Sequence, residues 1–447
     1  MHFKDLIGKK VAVWGVGREG SAFINLWRAR CPHMTLSVLD EKPSDQSRLL
    51  ATQEDLCYFS EAGALNAIKT FDVVVRSPGI SRYREEILEA KRLGVQFTSL
   101  ADLWFSENTT TDIVAITGTK GKSTTSSLTA HLLKSLGVNT TLAGNIGTPL
   151  FEDPEQVTTQ STWVIELSSY QASDIETSIP LATLLNLYPE HCDWHGSVEQ
   201  YYQDKLNIFK HQSDNSRSII NGQDPNTLRY LNFFKNRRYF NTKETIHCQD
   251  DYIYNGDQLL FPRTISPLLG THNSLNICAA LTILSALGHE PSTAADGLKN
   301  FNGLMHRLQM IGSDKKLTYI DDSISTIPQT ALAALAALSS QRVTILLGGQ
   351  KRAQDWELFA KSLHKTPPFA AITMPDNGSE IAAALRQYAP QNILIKEVAD
   401  LKEGVQTAQK ITPSGGIVLL SPASPSYGHF KNFEERGDLF KQFAGLK

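Results

Sequence analysis

The segment Thr117-Gly118-Thr119-Lys120-Gly121-Lys122-Ser123-Thr124 carries the densest chemistry in the chain. It stands between the apolar run Ile113–Ile116, which reads as a short buried strand, and a stretch through Leu136 that reads as a helix. Glycines there let backbone amides curl around phosphate oxygens, and a helix N-terminus adds partial positive charge. Lys122 has the reach for β- and γ-phosphates, and the Ser123 hydroxyl can ligate Mg²⁺. Two residues, rather than four, separate Gly118 from Gly121, so the pattern is shorter than the full phosphate-loop signature. A glycine-lysine turn between strand and helix could be structural alone, a reading that the strand–turn–helix context disfavours.

Four further groups could do chemistry. Glu166 ends a strand-like run, Trp163–Leu167, where a carboxylate beside a phosphate loop can hold Mg²⁺ through oxygen. His191, Asp193 and His195 alternate, and an extended chain would put all three on one face, as a transition-metal site needs; a fourth ligand is not evident. Gly15-Val16-Gly17-Arg18-Glu19-Gly20 fits GxGxxG after the apolar run Val11–Trp14, with Asp40 following at about the spacing of a dinucleotide-binding turn. Taken alone that match is unspecific. Lys205, by pattern, is an ordinary surface lysine.

These groups need rigid carriers, and the alternation of short strands and helices supplies them. The chain has 447 residues, enough for about three domains at roughly 100–200 residues each. The first block, about 1–108, holds Val11–Trp14, a strand Leu36–Leu39 running into Asp40, and Val73–Val75 running into Ser77-Pro78-Gly79. The polar stretch Ser106–Thr111 reads as a linker. The second, about 109–309, holds the phosphate loop and further strands at Trp163–Leu167 and Leu181–Leu187. The third, about 310–447, has strands near Leu317–Ile320, Val343–Leu347, Ala370–Thr373 and Ile417–Leu420, and an Ala-rich helix over Thr330–Ser339. Strand–helix alternation predicts an α/β protein with parallel sheets: Rossmann-like, then a phosphate-loop ATPase-like centre, then Rossmann-like again.

Composition narrows the class. With 43 basic and 46 acidic residues and a net charge of -3, there is no general nucleic-acid or membrane surface. Five scattered cysteines without a CxxC pair argue against a disulfide framework or a zinc ribbon. The first residues read as a strand entering a glycine turn, not as a signal peptide, and no apolar stretch is long enough to span a bilayer. A reduced, cytoplasmic setting is expected.

The loop ITGTKGKSTT resembles the ATP-binding loop shared by Mur ligases and folylpolyglutamate synthetases, and further Mur-ligase motifs follow in order through the chain. Gly144-Asn145-Ile146-Gly147 resembles the family's GNIG turn, whose asparagine contacts the nucleotide-sugar substrate. Glu166-Leu167-Ser168-Ser169-Tyr170-Gln171 resembles ELSSxQ, implying that Glu166 meets magnesium while Ser168 and Gln171 border the substrate. Asn186–Gly196 resembles NxxxDHxDxHG and would put His191 at the metal and phosphate centre, although Glu190 stands where aspartate is usual. The resemblance makes Lys205 the lysine that CO₂ carbamylates to support a second Mg²⁺, which requires a partly deprotonated, buried amine. Gly270–Ala280 resembles GxHNxxNxxAA, with Asn276 an adenine contact through an amide that both donates and accepts. Leu304–Leu308 resembles the GLPHR turn, making Arg307 an ATP contact at a hinge.

In the first block the resemblance replaces NAD by the UDP of the substrate, against Gly15, Gly17, Asp40 and the Ser77-Pro78-Gly79 turn. A short domain of this kind points to the MurD-type branch, which adds glutamate to UDP-N-acetylmuramoyl-L-alanine. In the third block Asp321–Thr326 resembles DSKAT, with Asp322 on ATP and Thr326 on the amino acid, but Ile324 replaces the lysine that serves D-glutamate. Isoleucine offers neither charge nor hydrogen bond. Arg352, in Gly348-Gly349-Gln350-Lys351-Arg352, is suited to take over as carboxylate clamp. Leu420–Ser426 and Phe430–Gly437 resemble LSPACAS…FKNFxxRG, placing Ser426 and Phe433 at the amino-acid pocket.

The resemblance thus implies a cytoplasmic, monomeric ligase using ATP and Mg²⁺. It would activate the alanyl carboxylate as an acyl phosphate and pass it to glutamate, with closure of three domains to exclude water. The branch that adds L-glutamate is favoured over the one that adds D-glutamate. The glycine turn and the ending SPASPS…FKNFEERG argue against a folylpolyglutamate or murein-tripeptide ligase. Retention of Glu166, His191 and Lys205 argues against a nucleotide sensor without ligase chemistry.

Overall fold

A computed structural model describes residues 1–108, 112–151, 161–314 and 316–446. The chain forms two compact units, Met1–Ile265 with Ser274–Leu298, and Ser266–Asn273 with Lys299–Lys447. They carry three sheets, as expected of three α/β domains.

The first sheet joins β1 (Val11–Trp14), β2 (Leu36–Asp40), β3 (Leu56–Ser60), β4 (Val73–Arg76) and β5 (Gln96–Thr98) in the order β3-β2-β1-β4-β5, all parallel. β1 sits centrally and all four of its residues are buried, which is why it reads as an unbroken apolar run. The outer strands β3 and β5 mix buried and exposed residues, and nothing in their pattern announces a strand.

The second sheet contains β6 (Asp112–Thr117), β7 (Thr140–Gly144), β8 (Thr162–Glu166), β9 (Leu181–Leu184), β10 (Arg217–Asn221), β11 (Arg237–Phe240), β12 (Ile246–Gln249), β13 (Tyr252–Asn255) and β14 (Gln258–Pro262). Its order is β14-β13-β12-β11-β10-β9-β6-β8-β7, parallel up to β12 and antiparallel through the last two strands. β6, which feeds the phosphate loop, lies between β8 and β9. The run expected as one strand over Leu181–Leu187 stops at Leu184, because beyond it the chain turns to meet the loop: Leu185 N donates to Thr117 O at 3.0 Å.

The third sheet, in the other unit, comprises β15 (Gln309–Ser313), β16 (Thr318–Asp321), β17 (Val343–Gly348), β18 (Ala370–Met374), β19 (Leu394–Glu397) and β20 (Ile417–Leu420), ordered β15-β16-β20-β17-β18-β19 with only β15 antiparallel among them. The Ala-rich segment forms the helix Pro328–Ala337.

One hydrophobic core runs through the first two sheets. Its link is the helix Leu100–Glu107, whose fully buried Trp104 ring lies 4.9 Å from that of Trp163 on β8. The expected linker over Ser106–Thr111 is therefore partly structured. Ser106 and Glu107 close the helix, and the Ser106 hydroxyl lies 2.9 Å from that of Thr177; residues 109–111 lie outside the described residues. All five cysteines are free thiols. Among the described residues no helix is long and apolar enough to cross a membrane.

Candidate active site

The loop after β6 is shaped by its two glycines. Gly118 (φ +154°) and Gly121 (φ +86°) take backbone conformations that L side chains rarely adopt. A Cβ on Gly121 would stand 2.4 Å from Asn276 Oδ1. Gly121 caps the helix Lys122–Ser135, whose first turn carries Lys122, Ser123 and Thr124. First-turn amides have no intrahelical acceptor, so this turn presents donors and the positive end of the helix to the loop. Lys122 Nζ curls back to the carbonyls of Gly118 and Thr119, both at 3.0 Å. Asn276 lies under the turn, accepting from Thr125 Oγ1 at 3.2 Å, so its amide braces the loop from the later helix Thr271–Ala286.

Two braces escaped the sequence reading. Asn186 holds the loop by a reciprocal pair: its Oδ1 accepts from Lys120 N at 2.8 Å, and its Nδ2 donates to Lys120 O at 3.0 Å. Tyr201 OH lies 2.9 Å from Thr119 Oγ1. Neither is visible in sequence, because each joins segments more than 60 residues apart.

Glu166 ends β8 fully buried. Its Oε1 accepts from Asn145 Nδ2 at 2.7 Å, while Oε2 is buried with no hydrogen-bond partner among the described residues. An orphaned carboxylate oxygen on the strand beside β6 suits a hard cation. Lys205 is also buried, donating to Gly118 O at 3.0 Å and to Thr117 Oγ1 at 3.4 Å. Burial first, and then the nearby Lys122 charge, hold its amine well below the usual lysine value. This is the environment that the carbamylation chemistry requires. Lys120 is exposed and pairs with Glu190 at 2.6 Å. Partial burial works against the Glu190 charge, but Lys120, with His191 and Lys122, more than offsets it and keeps that carboxyl below its ordinary value.

His191, Asp193 and His195 do not share a face. His191 takes a left-handed conformation (φ 54°) and starts the short helix Cys192–His195, so the extended alternation never forms. His195 turns inward, 2.6 Å from Asp204 and 3.0 Å from Ser169. His191 stays half out, and burial together with the charges of Lys205 and Lys122 lowers its basicity. The departure of His195 removes the basis for a three-ligand transition-metal site. Among the described residues no three His, Cys, Asp or Glu side chains converge as one.

In the same unit a cleft of about 390 Å³ opens between the glycine turn of the first sheet and the Gly144-Asn145 turn of the second. Gly17, Ser77, Asn145 and Gln171 line it. A Cβ on Gly20 would strike Gly15 O at 1.9 Å, and Ser77 Oγ donates to Gly15 O at 2.8 Å, so turn and serine are locked together. Gln171 donates from Nε2 to Glu19 at 2.5 Å and accepts on Oε1 from Ser168 N at 2.9 Å. Asp40 is buried and accepts from Tyr58 OH at 2.8 Å.

The second unit gathers the remaining candidates. Asp322 is buried, accepting from Leu308 N at 3.0 Å and Ser421 Oγ at 2.7 Å; burial pushes its carboxyl up to about 7. Arg307 is exposed on the same turn. Its neighbour His306 is buried, 2.7 Å from Asp321, and a Cβ on Gly437 would come within 2.1 Å of the His306 ring. The Asp321 carboxylate raises the His306 basicity against the effect of burial. Thr326 O and Ala423 O both accept from Gln354 Nε2, at 3.2 and 2.6 Å. Arg436, fully buried, donates to Ser323 O, Ser323 Oγ and Ser424 O at 2.7–3.0 Å. Ser323 Oγ in turn donates to Phe433 O at 2.8 Å. Ser426 is buried, Ile324 half-buried and Arg352 exposed. Gln354 and Arg436 thus tie together the loops that carry Thr326, Ser426 and Phe433. The FKNFEERG motif contains Arg436, but nothing in its spacing marks the arginine as buried.

Three sheets with a glycine-built loop between strand and helix define a phosphate-loop α/β protein. Residues 116–284 match the description "Mur ligase middle domain", and residues 306–424 match "Mur ligase, glutamate ligase domain". The chain is 39% identical over 458 residues to "UDP-N-acetylmuramoyl-L-alanine--L-glutamate ligase" of Xanthomonas euvesicatoria, covering 100% of this chain and 97% of the relative. It is 38% identical to the protein of that name from Salinispora tropica, covering 99% and 98%. It belongs to the Mur ligase family of ATP-dependent amide ligases. In fold it is similar to the MurF ligase of Thermotoga maritima in complex with ADP (TM-score 0.59, 16% identity, covering 97% and 93%). It is likewise similar to the MurC ligase of the same organism (TM-score 0.58, 16% identity, covering 97% and 98%).

Proposed function

We propose that the chain joins L-glutamate to UDP-N-acetylmuramoyl-L-alanine with hydrolysis of ATP to ADP, as a cytoplasmic monomer in peptidoglycan precursor synthesis. One observation carries the choice of amino acid: similarity from end to end to ligases named for L-glutamate. Isoleucine at position 324, where D-glutamate binding uses lysine, points the same way.

Residues 1–108 hold the UDP of the substrate, 109–309 the ATP, and 310–447 the amino acid. The loop 118–124 and Lys122 cradle the phosphates, with Asn276, Arg307 and Asp322 as further ATP contacts. Glu166, the Ser123 hydroxyl and His191 would hold Mg²⁺, a role that the orphaned Glu166 oxygen supports, and Lys205, carbamylated, would support a second ion. Mg²⁺ there would neutralise phosphate charge. Gly15, Gly17, Asp40, Ser77, Asn145, Ser168 and Gln171 orient the nucleotide sugar so that its alanyl carboxylate meets the γ-phosphorus in line. The product is an acyl phosphate and ADP. Arg352 pairs with a glutamate carboxylate while Thr326, Ser426 and Phe433 shape its pocket. The glutamate amine then attacks the acyl carbon and phosphate departs with the bonding pair. Phosphate release from ATP and UDP-N-acetylmuramoyl-L-alanine, with L- or D-glutamate in parallel, tests this reading. Release with L-glutamate alone is expected; release with D-glutamate alone overturns the substrate, and release with neither favours a nucleotide sensor.

A further inference from the structure

Glu19 stands on the first turn of the helix Arg18–Arg30 and lines the cleft just described. Its carboxyl is held at one end only. Oε1 accepts from Gln171 Nε2 at 2.5 Å, whereas Oε2 is buried with no hydrogen-bond partner among the described residues. The charged groups facing it are Arg18 on its own helix, Arg76 at the end of β4, and Asp174 beyond the helix Ser169–Ala172. Arg76 and Asp174 are paired with each other, and Arg18 donates to Gly147 O, so no cation is committed to Glu19. A buried oxygen in this state awaits a partner.

We propose that Glu19 is a specificity-determining residue that reads the anionic substrate as a neutral acid, taking the Gln171 N–H on Oε1 and giving its own O–H from Oε2 to a phosphate oxygen of the nucleoside-diphosphate sugar. This rests on the cleft being that substrate's site. The two oxygens then have opposite roles, one accepting and one donating, as the one-sided contact requires. An ionised Glu19 would instead turn a bare acceptor and a like charge toward the pyrophosphate. Burial, reinforced by Asp174 and opposed by Gln171, Arg76 and Arg18, pushes the group up to about 7, so the neutral form is within reach at physiological pH. A bound anion favours that form further. Binding therefore takes up a fraction of a proton that rises toward one above the titration of the free protein, and there affinity falls by up to about tenfold per pH unit.

The test is calorimetric titration of the whole chain with UDP-N-acetylmuramoyl-L-alanine from about pH 6 to about pH 8.5, a range in which the ligand's own carboxylate stays ionised. Wild type is expected to bind more weakly as pH rises and, in buffers of different ionisation enthalpy, to take up a proton. Glu19→Gln keeps one acceptor and one donor at every pH; it should bind with a flat pH profile and no proton uptake. Glu19→Ala should bind weakly throughout. A Glu19→Gln protein that keeps the wild-type slope overturns the inference, as does wild-type binding without proton uptake. Folded wild type that fails to bind this ligand at any pH overturns the substrate reading of the cleft itself, and the inference with it.

Discussion

Asn145 Nδ2 donates to Glu166 Oε1 at 2.7 Å, so the turn after β7 fixes one oxygen of a carboxylate whose other oxygen is buried and unsatisfied. The pair joins the cleft to the strand beside the phosphate loop: Asn145 lines the first, and Glu166 ends β8 next to β6. A residue expected only to touch the nucleotide sugar thus also aims a candidate cation ligand.

Glu166→Gln should lower kcat by roughly 10²–10³, as loss of a preorganised electrostatic group does, and should raise the Mg²⁺ concentration needed for half-maximal phosphate release. Asn145→Ala should cost roughly 10–100-fold, the range for a group that orients a metal ligand. If the Mg²⁺ dependence of Glu166→Gln matched wild type, the carboxylate would not be the ligand proposed.

Gly121→Ala places a Cβ 2.4 Å from Asn276 Oδ1 at φ +86°. The backbone alone should cost roughly 1–2 kcal/mol, and nucleotide affinity should fall because the loop must shift. Adding Asn276→Ser should relieve the steric part and leave the backbone part. Denaturant unfolding and nucleotide titration of the two variants separate these contributions; equal stability of Gly121→Ala and wild type would contradict the packing described.

The His306–Asp321 pair makes stability depend on pH. Asp321 raises the folded-state value of His306 above that of the unfolded chain. The stabilisation is therefore fully present below about pH 6.5, the unfolded histidine value, and is lost as pH rises through the raised folded value. His306→Gln should be destabilised relative to wild type more at about pH 6 than at about pH 9. Urea denaturation at both pH values checks this, and a constant difference would remove the pair from the account.

Arg352→Ala should raise KM for glutamate roughly 10- to 100-fold, the worth of a charge-assisted contact, with the KM for ATP unchanged. Arg436→Lys should act differently. It loses the planar fork that reaches the Ser323 and Ser424 carbonyls, so it should lower thermal stability, at roughly 1–3 kcal/mol for each buried acceptor left without a donor. Initial rates across a glutamate series, beside melting curves, distinguish pocket from scaffold.

The strongest elements were legible because they are local. β1, β6, β17 and β20 are central parallel strands and read as apolar runs, and the phosphate loop is a contiguous string whose glycines adopt the conformations that make it a loop. Relations across the chain were not legible. Asn186 braces Lys120, Gln171 holds Glu19 and Arg436 ties Ser323 to Ser424, each joining parts of the chain that only folding brings together. His195 was misplaced for a local reason: alternation implies one face only in an extended chain, and the left-handed His191 turns this segment into a helix.

Trp104 packs on Trp163 across the seam between the first two sheets. A cut in the chain near residue 108 would separate this pair. A fragment starting beyond it would expose the face of Trp163 that Trp104 covers, and a fragment ending before it would carry the bare tryptophan. The first two sheets should melt as a single cooperative block, so damage to the glycine turn around Gly15 would be felt in the stability of the phosphate loop as well as in the cleft.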